Sequence, residues 1–310
     1  MIYSASRQKT FCRCPREYYH SYIQGYKQAM KHPWLQFGSN IDDLLAIYDT
    51  EGFLKMMENI PRFFSDPYEL IDVRVLLEHY QEKFGDKILP VIDLEERPGN
   101  QWHFQYNLDP PHVEESDIVY QGYLDKVTEV KGWVSFVERK TTSQAINYTS
   151  AYWNGLETDK QVVGYSWAVG KAIENPVNKA VYEVLRKPAS VNAKLLKRVD
   201  NKKNPLSLDD YEANVREYFK DPKQTMVARK SLWIPQSNRD EWVHDLVADD
   251  DTIKNMKLNQ AGYESQGIDG RYAWPRCDNS CDAFGGCLFA PVCSGETEVE
   301  SLQTVYIKGE

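Results

Sequence analysis

Over the first eighty-odd residues, apolar positions recur at helical spacing. Phe11, Tyr18, Tyr19 and Tyr22 predict a helix over 4–25, capped by Ser4 or Ser6 and closed by Gly25. Further helices are predicted over 34–48, 51–64 and 67–84. Strand-like runs follow at 88–97 and 101–107, parted by the turn signal Pro98-Gly99-Asn100. Two more strands, 118–128 and 133–141, flank Lys131-Gly132. A helix is expected over 158–173, a strand over 179–186, and a helix opened by Leu206-Ser207-Leu208-Asp209-Asp210 and running to about residue 220. A strand over 227–234 and a helix over 236–257 lead into a cysteine-rich tail.

This order predicts an α/β fold in one domain of 310 residues: a helical region over 1–85, a mixed sheet with flanking helices over 86–260, and a cysteine-rich cap over 261–310. Hydrophobic residues make up 42%, enough for a packed core. The net charge of -9 would ordinarily argue against a nucleic-acid partner, but net charge hides local patches. Arg186, Lys187, Lys194, Lys197, Arg198, Lys202 and Lys203 form one basic stretch, readable as a solvated face or as a phosphate-contacting strip. The N-terminus lacks the apolar region of a secretory signal and no apolar run is long enough to span a bilayer, so a soluble cytoplasmic protein is expected.

The 118–141 region carries the most chemistry. If Lys131-Gly132 is a two-residue hairpin loop, Val130 pairs with Trp133, and counting outward sets Asp125 opposite Glu138. Opposed Cβ atoms lie about 5 Å apart, where like charges repel unless a cation sits between them. Lys140 shares the face of Glu138 because strand side chains alternate. Two carboxylates and a lysine on one face suit metal-dependent phosphodiester chemistry.

The six cysteines lie at the two ends of the chain: Cys12 and Cys14, then Cys277, Cys281, Cys287 and Cys293. The last four are spaced x3, x5, x5, unlike the paired C-x2-4-C of zinc ribbons and more like a loop around a four-iron cluster. Zinc and merely structural thiols are the other readings. Cys14, which precedes Pro15, is preferred over Cys12, together with Cys287 and Cys293, while Cys281 and Cys277 compete for the fourth place.

In this order the motifs resemble the RecB-like branch of the PD-(D/E)XK nuclease superfamily, within it the iron-sulfur nucleases that include CRISPR adaptation nucleases and single-strand exonucleases. Cys14-Pro15-Arg16-Glu17-Tyr18-Tyr19 is similar to the N-terminal cluster ligand and its helix, and Gly38-Ser39-Asn40-Ile41-Asp42-Asp43 to the first catalytic motif, where histidine is common at the position of Asp42. Gly122-Tyr-Leu-Asp125 resembles the second motif, Glu138-Arg-Lys140 the third, and Gln161-Val-Val-Gly-Tyr165 the helical motif that follows. Leu124 replaces the superfamily's proline, and Phe284 stands where a cluster cysteine is usual.

The resemblance implies a restriction-endonuclease-like core and a magnesium- or manganese-dependent deoxyribonuclease acting as an exonuclease on single-stranded DNA. Asp125, Glu138, Lys140, Gln161 and Tyr165 would form the catalytic set. Asp42, Asp125, Glu138 and the Arg139 carbonyl would hold the ion, which as a hard cation needs few carboxylates. A [4Fe-4S] cluster on Cys14, Cys281, Cys287 and Cys293 (Cys277 competing) would staple the termini together. The alternative is a DNA-binding or assembly subunit with a degenerate nuclease site, which Asp42 in place of histidine leaves open. Tyr18, Tyr19, Tyr22 and Trp34 suit core packing better than base stacking, and the histidines show no ligand spacing.

Overall fold

The computed structural model describes residues 1–28, 33–94, 98–108, 117–191, 193–200, 202–221, 223–281, 286–298 and 306–308. Its strands are β1 (Ile2–Tyr3), β2 (Tyr26–Gln28), β3 (Asn100–Asn107), β4 (Val119–Val130), β5 (Trp133–Thr142), β6 (Lys179–Arg186), β7 (Val227–Trp233) and β8 (Tyr306–Lys308). Its helices are α1 (Ala5–Arg13), α2 (Pro15–Tyr18), α3 (Pro33–Glu51), α4 (Phe53–Phe63), α5 (Pro67–Phe84), α6 (Lys160–Ala172), α7 (Leu208–Lys220), α8 (Gln236–Ser265) and α9 (Ala290–Ser294). Six strands form a mixed sheet in the order β1-β4-β5-β6-β7, with β3 also on β4, while β2 pairs with β8. No described helix is long and apolar enough to cross a membrane. The chain divides into two compact units, one of Met1–His32, Phe104–Gly122 and Ser237–Glu310, the other of Pro33–His103 and Tyr123–Gln236.

In the second unit the hairpin β4–β5 has the register expected from Val130 opposite Trp133. Lys131 and Gly132 both take positive φ, 54° and 80°, as a tight turn matched to strand twist requires. β6 runs parallel to β5 and antiparallel to β7. It is buried from Ala180 to Leu185, which explains its nearly continuous apolar sequence. Three helices are started by capping side chains: Asp66 accepts from the Glu69 N–H at 2.8 Å, Asp159 from Gln161 at 2.9 Å, and Ser207 from Asp210 at 3.1 Å. The apolar faces of α3, α4, α5 and α7 meet around Ile41, Leu44, Met56, Leu76, Leu77, Tyr211 and Val215.

In the first unit the helix expected over 4–25 is interrupted. Cys14 is extended at φ -159°, because the ring of Pro15 disfavours the helical region for the residue before it. Ser4 caps α1, Pro15 starts α2, a π-turn spans Tyr19–Ile23, and Gly25 follows at φ 79°. The cysteine-rich tail lies on this segment: Arg16 donates to the Trp274 carbonyl at 2.6 Å, and Ser280 to that of Arg13 at 2.9 Å. Trp274 is buried and stacks on Tyr18 and Tyr19. Those two tyrosines are core residues, as their spacing favoured; the Trp34 side chain lies outside what is described.

Among the described residues an expected strand is absent and a helix runs longer than expected. Residues 88–94 are not a strand: Pro90 has no N–H to give a ladder, and the Asp93 carboxylate turns to accept from the Gly99 N–H at 3.1 Å. Residues 95–97 of that expected run lie outside the described residues. Helix α8 continues past 257 to Ser265, since nothing before Gly267, at φ 73°, forces the backbone out of the helical region.

Candidate active site

All seven residues singled out for catalysis or metal binding lie in the second unit. The β4–β5 ladder runs outward to Lys126 opposite Val137, so Asp125 and Glu138 occupy the next register position. There the backbone ladder gives way to a side-chain bond: the Arg139 N–H donates to Asp125 Oδ2 at 2.6 Å. Glu138, 1% exposed, accepts at Oε1 from the Lys140 ammonium and from the Gln161 amide at 2.8 Å. The same Gln161 amide reaches the Tyr165 hydroxyl at 3.2 Å, so the two residues share a helical face as their spacing implies. Glu138 Oε2 is buried without a hydrogen-bond partner.

Asp42 comes from α3. This helix approaches β5 closely at Gly38, where a Cβ would sit 3.0 Å from Thr141 Oγ1. One turn on, Asp42 faces the charge of Asp125. Burial, reinforced by that neighbour, pushes the Asp42 carboxyl up to about 7, against the pull of Lys140. Burial also lifts Glu138 to about 8; Lys140 opposes the rise, and Asp125 and Asp42 add to it. Asp125 moves up for the same first reason, with Lys140 and the Arg139 N–H holding it back. For Lys140 burial disfavours the cation, but Glu138 and Asp125 outweigh it and hold the ammonium well above the usual lysine range. Mutually repelling carboxyls that bind protons this tightly favour a cation among them.

Among the described residues no three His, Cys, Asp or Glu side chains are gathered closely enough to cage an ion by themselves. Magnesium and manganese do not need such a cage, since one or two carboxylates with waters suffice. The orphaned Glu138 Oε2 beside Asp125 and Asp42 fits that demand.

Sequence reasoning missed the support beneath this face. The Arg139 guanidinium lies on the opposite side of β5 from Glu138 and Lys140, leaving only its carbonyl as a metal donor. It pairs bidentately with Asp49, at 2.6 and 3.0 Å, and through Nε with Glu183 at 3.2 Å. Glu183 also accepts from Arg229 and from the Tyr80 hydroxyl, both at 2.7 Å. Burial would raise the Glu183 carboxyl, but Arg139 and Arg229 outweigh it and hold it below its ordinary value. Tyr182, paired in register with Glu138, adds a buried phenol on the site face. The lone glutamate in the apolar run of β6 was the available signal for Glu183; Asp49 had only its helical spacing from Asp42.

Of the basic stretch, Lys187 is buried over the Phe37 ring and Arg198 pairs with Asp66 and Asp72, both structural uses. Lys194, Lys197, Lys202 and Lys203 are exposed.

The cysteines belong to the first unit. The Cys277 N–H donates to Cys14 Sγ at 3.4 Å, and the Cys287 N–H to the Cys281 carbonyl at 2.6 Å. Burial raises the Cys293 thiol, to which Cys14 and Cys281 add; it raises Cys287 to about 11, with Cys293 and Cys14 adding. No three of these cysteines are gathered closely enough, among the described residues, to hold a metal by themselves, and exposed Cys12 turns to Asp249 at 3.6 Å. Phe284 lies outside the described residues.

A search among curated proteins finds no match. The sequence profile of the PD-(D/E)XK nuclease superfamily matches residues 2–294, nearly the whole chain. A mixed sheet that carries an aspartate on one strand of a hairpin and Glu-x-Lys on the other agrees with that match, and the chain belongs to the PD-(D/E)XK nuclease superfamily, whose members are metal-dependent nucleases.

Proposed function

We propose that the protein is a magnesium- or manganese-dependent deoxyribonuclease that degrades single-stranded DNA from an end and carries a structural iron-sulfur cluster. The observation that carries the nuclease reading is Glu138, buried, held by Lys140 and Gln161, and opposite Asp125 at the register position after Lys126 and Val137. Asp125, Glu138, Asp42 and the Arg139 carbonyl would hold the ion. When bound, the ion polarises the scissile phosphate and lowers the pKa of an attacking water.

The remaining work falls to the chain itself. Lys140 is a compact cation that orients the water and offsets charge gathering on the phosphate oxygens. Gln161 fixes the Glu138 carboxylate through Oε1, leaving Oε2 for the ion, and the Tyr165 hydroxyl fixes Gln161. Exposed Lys194, Lys197, Lys202 and Lys203 offer phosphate contacts in the same unit as the site.

Preference for single strands rests on the resemblance of the terminal cysteines and ordered motifs to iron-sulfur nucleases of this superfamily. A four-thiolate cluster is supported by the action of Cys14 and Cys293 on Cys287 and of Cys14 and Cys281 on Cys293, with Arg16 and Arg276 near Cys293 to balance its negative charge. The test is incubation of anaerobically purified protein with end-labelled single- and double-stranded DNA, in magnesium, manganese or chelator. Metal-dependent shortening of single strands from one end, by a brown protein holding four irons, supports the reading. Tight DNA binding without cleavage would leave a binding subunit instead.

A further inference from the structure

Asp49 is a buried carboxylate to which no catalytic role has been given. It lies on α3 seven residues beyond Asp42, close to two full turns, so both project from the same side of the helix. Its side chain is 0% exposed. Oδ1 accepts from Lys126 Nζ at 2.6 Å and from the Arg139 guanidinium at 3.0 Å, and Oδ2 accepts from Arg139 at 2.6 Å. Lys126 is the chain neighbour of Asp125, and Arg139 stands between Glu138 and Lys140. One carboxylate therefore holds the residues that flank Asp125, Glu138 and Lys140, from the opposite face of the hairpin. Glu183 takes the remaining Nε of Arg139, so the guanidinium has no freedom to turn.

We propose that Asp49 is a positioning residue: by clamping Lys126 on β4 and Arg139 on β5, it sets the separation of Asp125 and Glu138 and ties both to the helix that carries Asp42. The inference rests on the metal-nuclease reading. Alternating strand geometry makes the clamp effective, because fixing Lys126 and Arg139 below the sheet fixes Asp125, Glu138 and Lys140 above it. A planar guanidinium held at two nitrogens by one carboxylate admits little rotation. Substituted ligand supports of this kind typically cost 10–100-fold in metal affinity.

The test measures Mn2+ binding to the full-length protein by the electron paramagnetic resonance of the unbound ion, beside the Mn2+ dependence of DNA cleavage. Asp49→Asn keeps the volume and loses the charge; Arg139→Lys keeps the charge and loses the fork, and serves if the first variant does not fold. Asp72→Asn removes another buried carboxylate of the same unit, one bound to Tyr211 and Arg198, and is the control for lost stability alone. The clamp predicts that Asp49→Asn or Arg139→Lys weakens Mn2+ binding at least tenfold. Saturating Mn2+ should recover much of the cleavage rate, while Asp72→Asn lowers the melting temperature and leaves Mn2+ affinity within about twofold. Unchanged Mn2+ affinity in folded Asp49→Asn and Arg139→Lys, with active wild type, overturns the positioning role and leaves the nuclease intact. A wild type that neither binds Mn2+ nor cleaves overturns both.

Discussion

Removal of the Glu138 charge should change how stability depends on pH. Burial raises this carboxyl from its ordinary 4.5 to about 8. A carboxyl whose folded pKa is raised contributes stability that is fully present below the unfolded value and is lost as pH rises through the folded one. Each unit of pH between those limits costs about 1.4 kcal/mol for one group. Across pH 6 to 8 the loss is therefore about 3 kcal/mol, shared with Asp42 and Asp125, which titrate with Glu138 as a set. Glu183 moves the other way: its stabilisation is complete above its unfolded value and is lost only in acid, so it leaves this window flat. The assay is urea unfolding in chelator at half-unit steps from pH 6 to 9. Wild-type stability should decline through the window, Glu138→Gln should flatten most of the decline, and added Mn2+ should stabilise wild type increasingly as pH rises. A wild-type profile flat from 6 to 9, or one with the same slope in Glu138→Gln, would refute the reasoning.

Other consequences are as direct. Gln161→Leu frees the Glu138 carboxylate and should lower the cleavage rate about tenfold at saturating metal, read in single-turnover assays, with Tyr165→Phe milder because its bond to Gln161 lies one step from the carboxylate. Cys14→Ser and Cys293→Ser should strip the brown colour and most iron on anaerobic purification, whereas Cys12→Ser should keep both; Cys281→Ser against Cys277→Ser decides the fourth ligand by the same absorbance. Gly99→Ala would set a Cβ 1.8 Å from the Ile92 carbonyl oxygen, a backbone clash, and should cost about 2–3 kcal/mol in denaturant unfolding.

Much of the site was legible because its parts are local. A two-residue turn fixes register, and register fixes that Asp125 and Glu138 meet while Lys140 shares their face. Helical spacing placed Gln161 with Tyr165, and the crowding of cysteines at the two ends anticipated the tail lying on α1 and α2. What was hidden depends on contacts between distant segments. Nothing in the sequence near Asp49 says that it will meet Lys126 and Arg139, and the lone glutamate of β6 marks Glu183 without naming its partners on β5 and β7. The expected strand over 88–97 failed where apolar content was read without weighing Pro90.

The central claim is that Asp125 and Glu138 hold the catalytic ion. Its most direct test is cleavage of end-labelled single-stranded DNA by wild type, Asp125→Asn and Glu138→Gln under saturating Mn2+, each shown folded by circular dichroism. The account predicts metal-dependent cleavage by wild type and a loss of at least a thousandfold in both variants. Folded Asp125→Asn and Glu138→Gln proteins that cleave at the wild-type rate would contradict it.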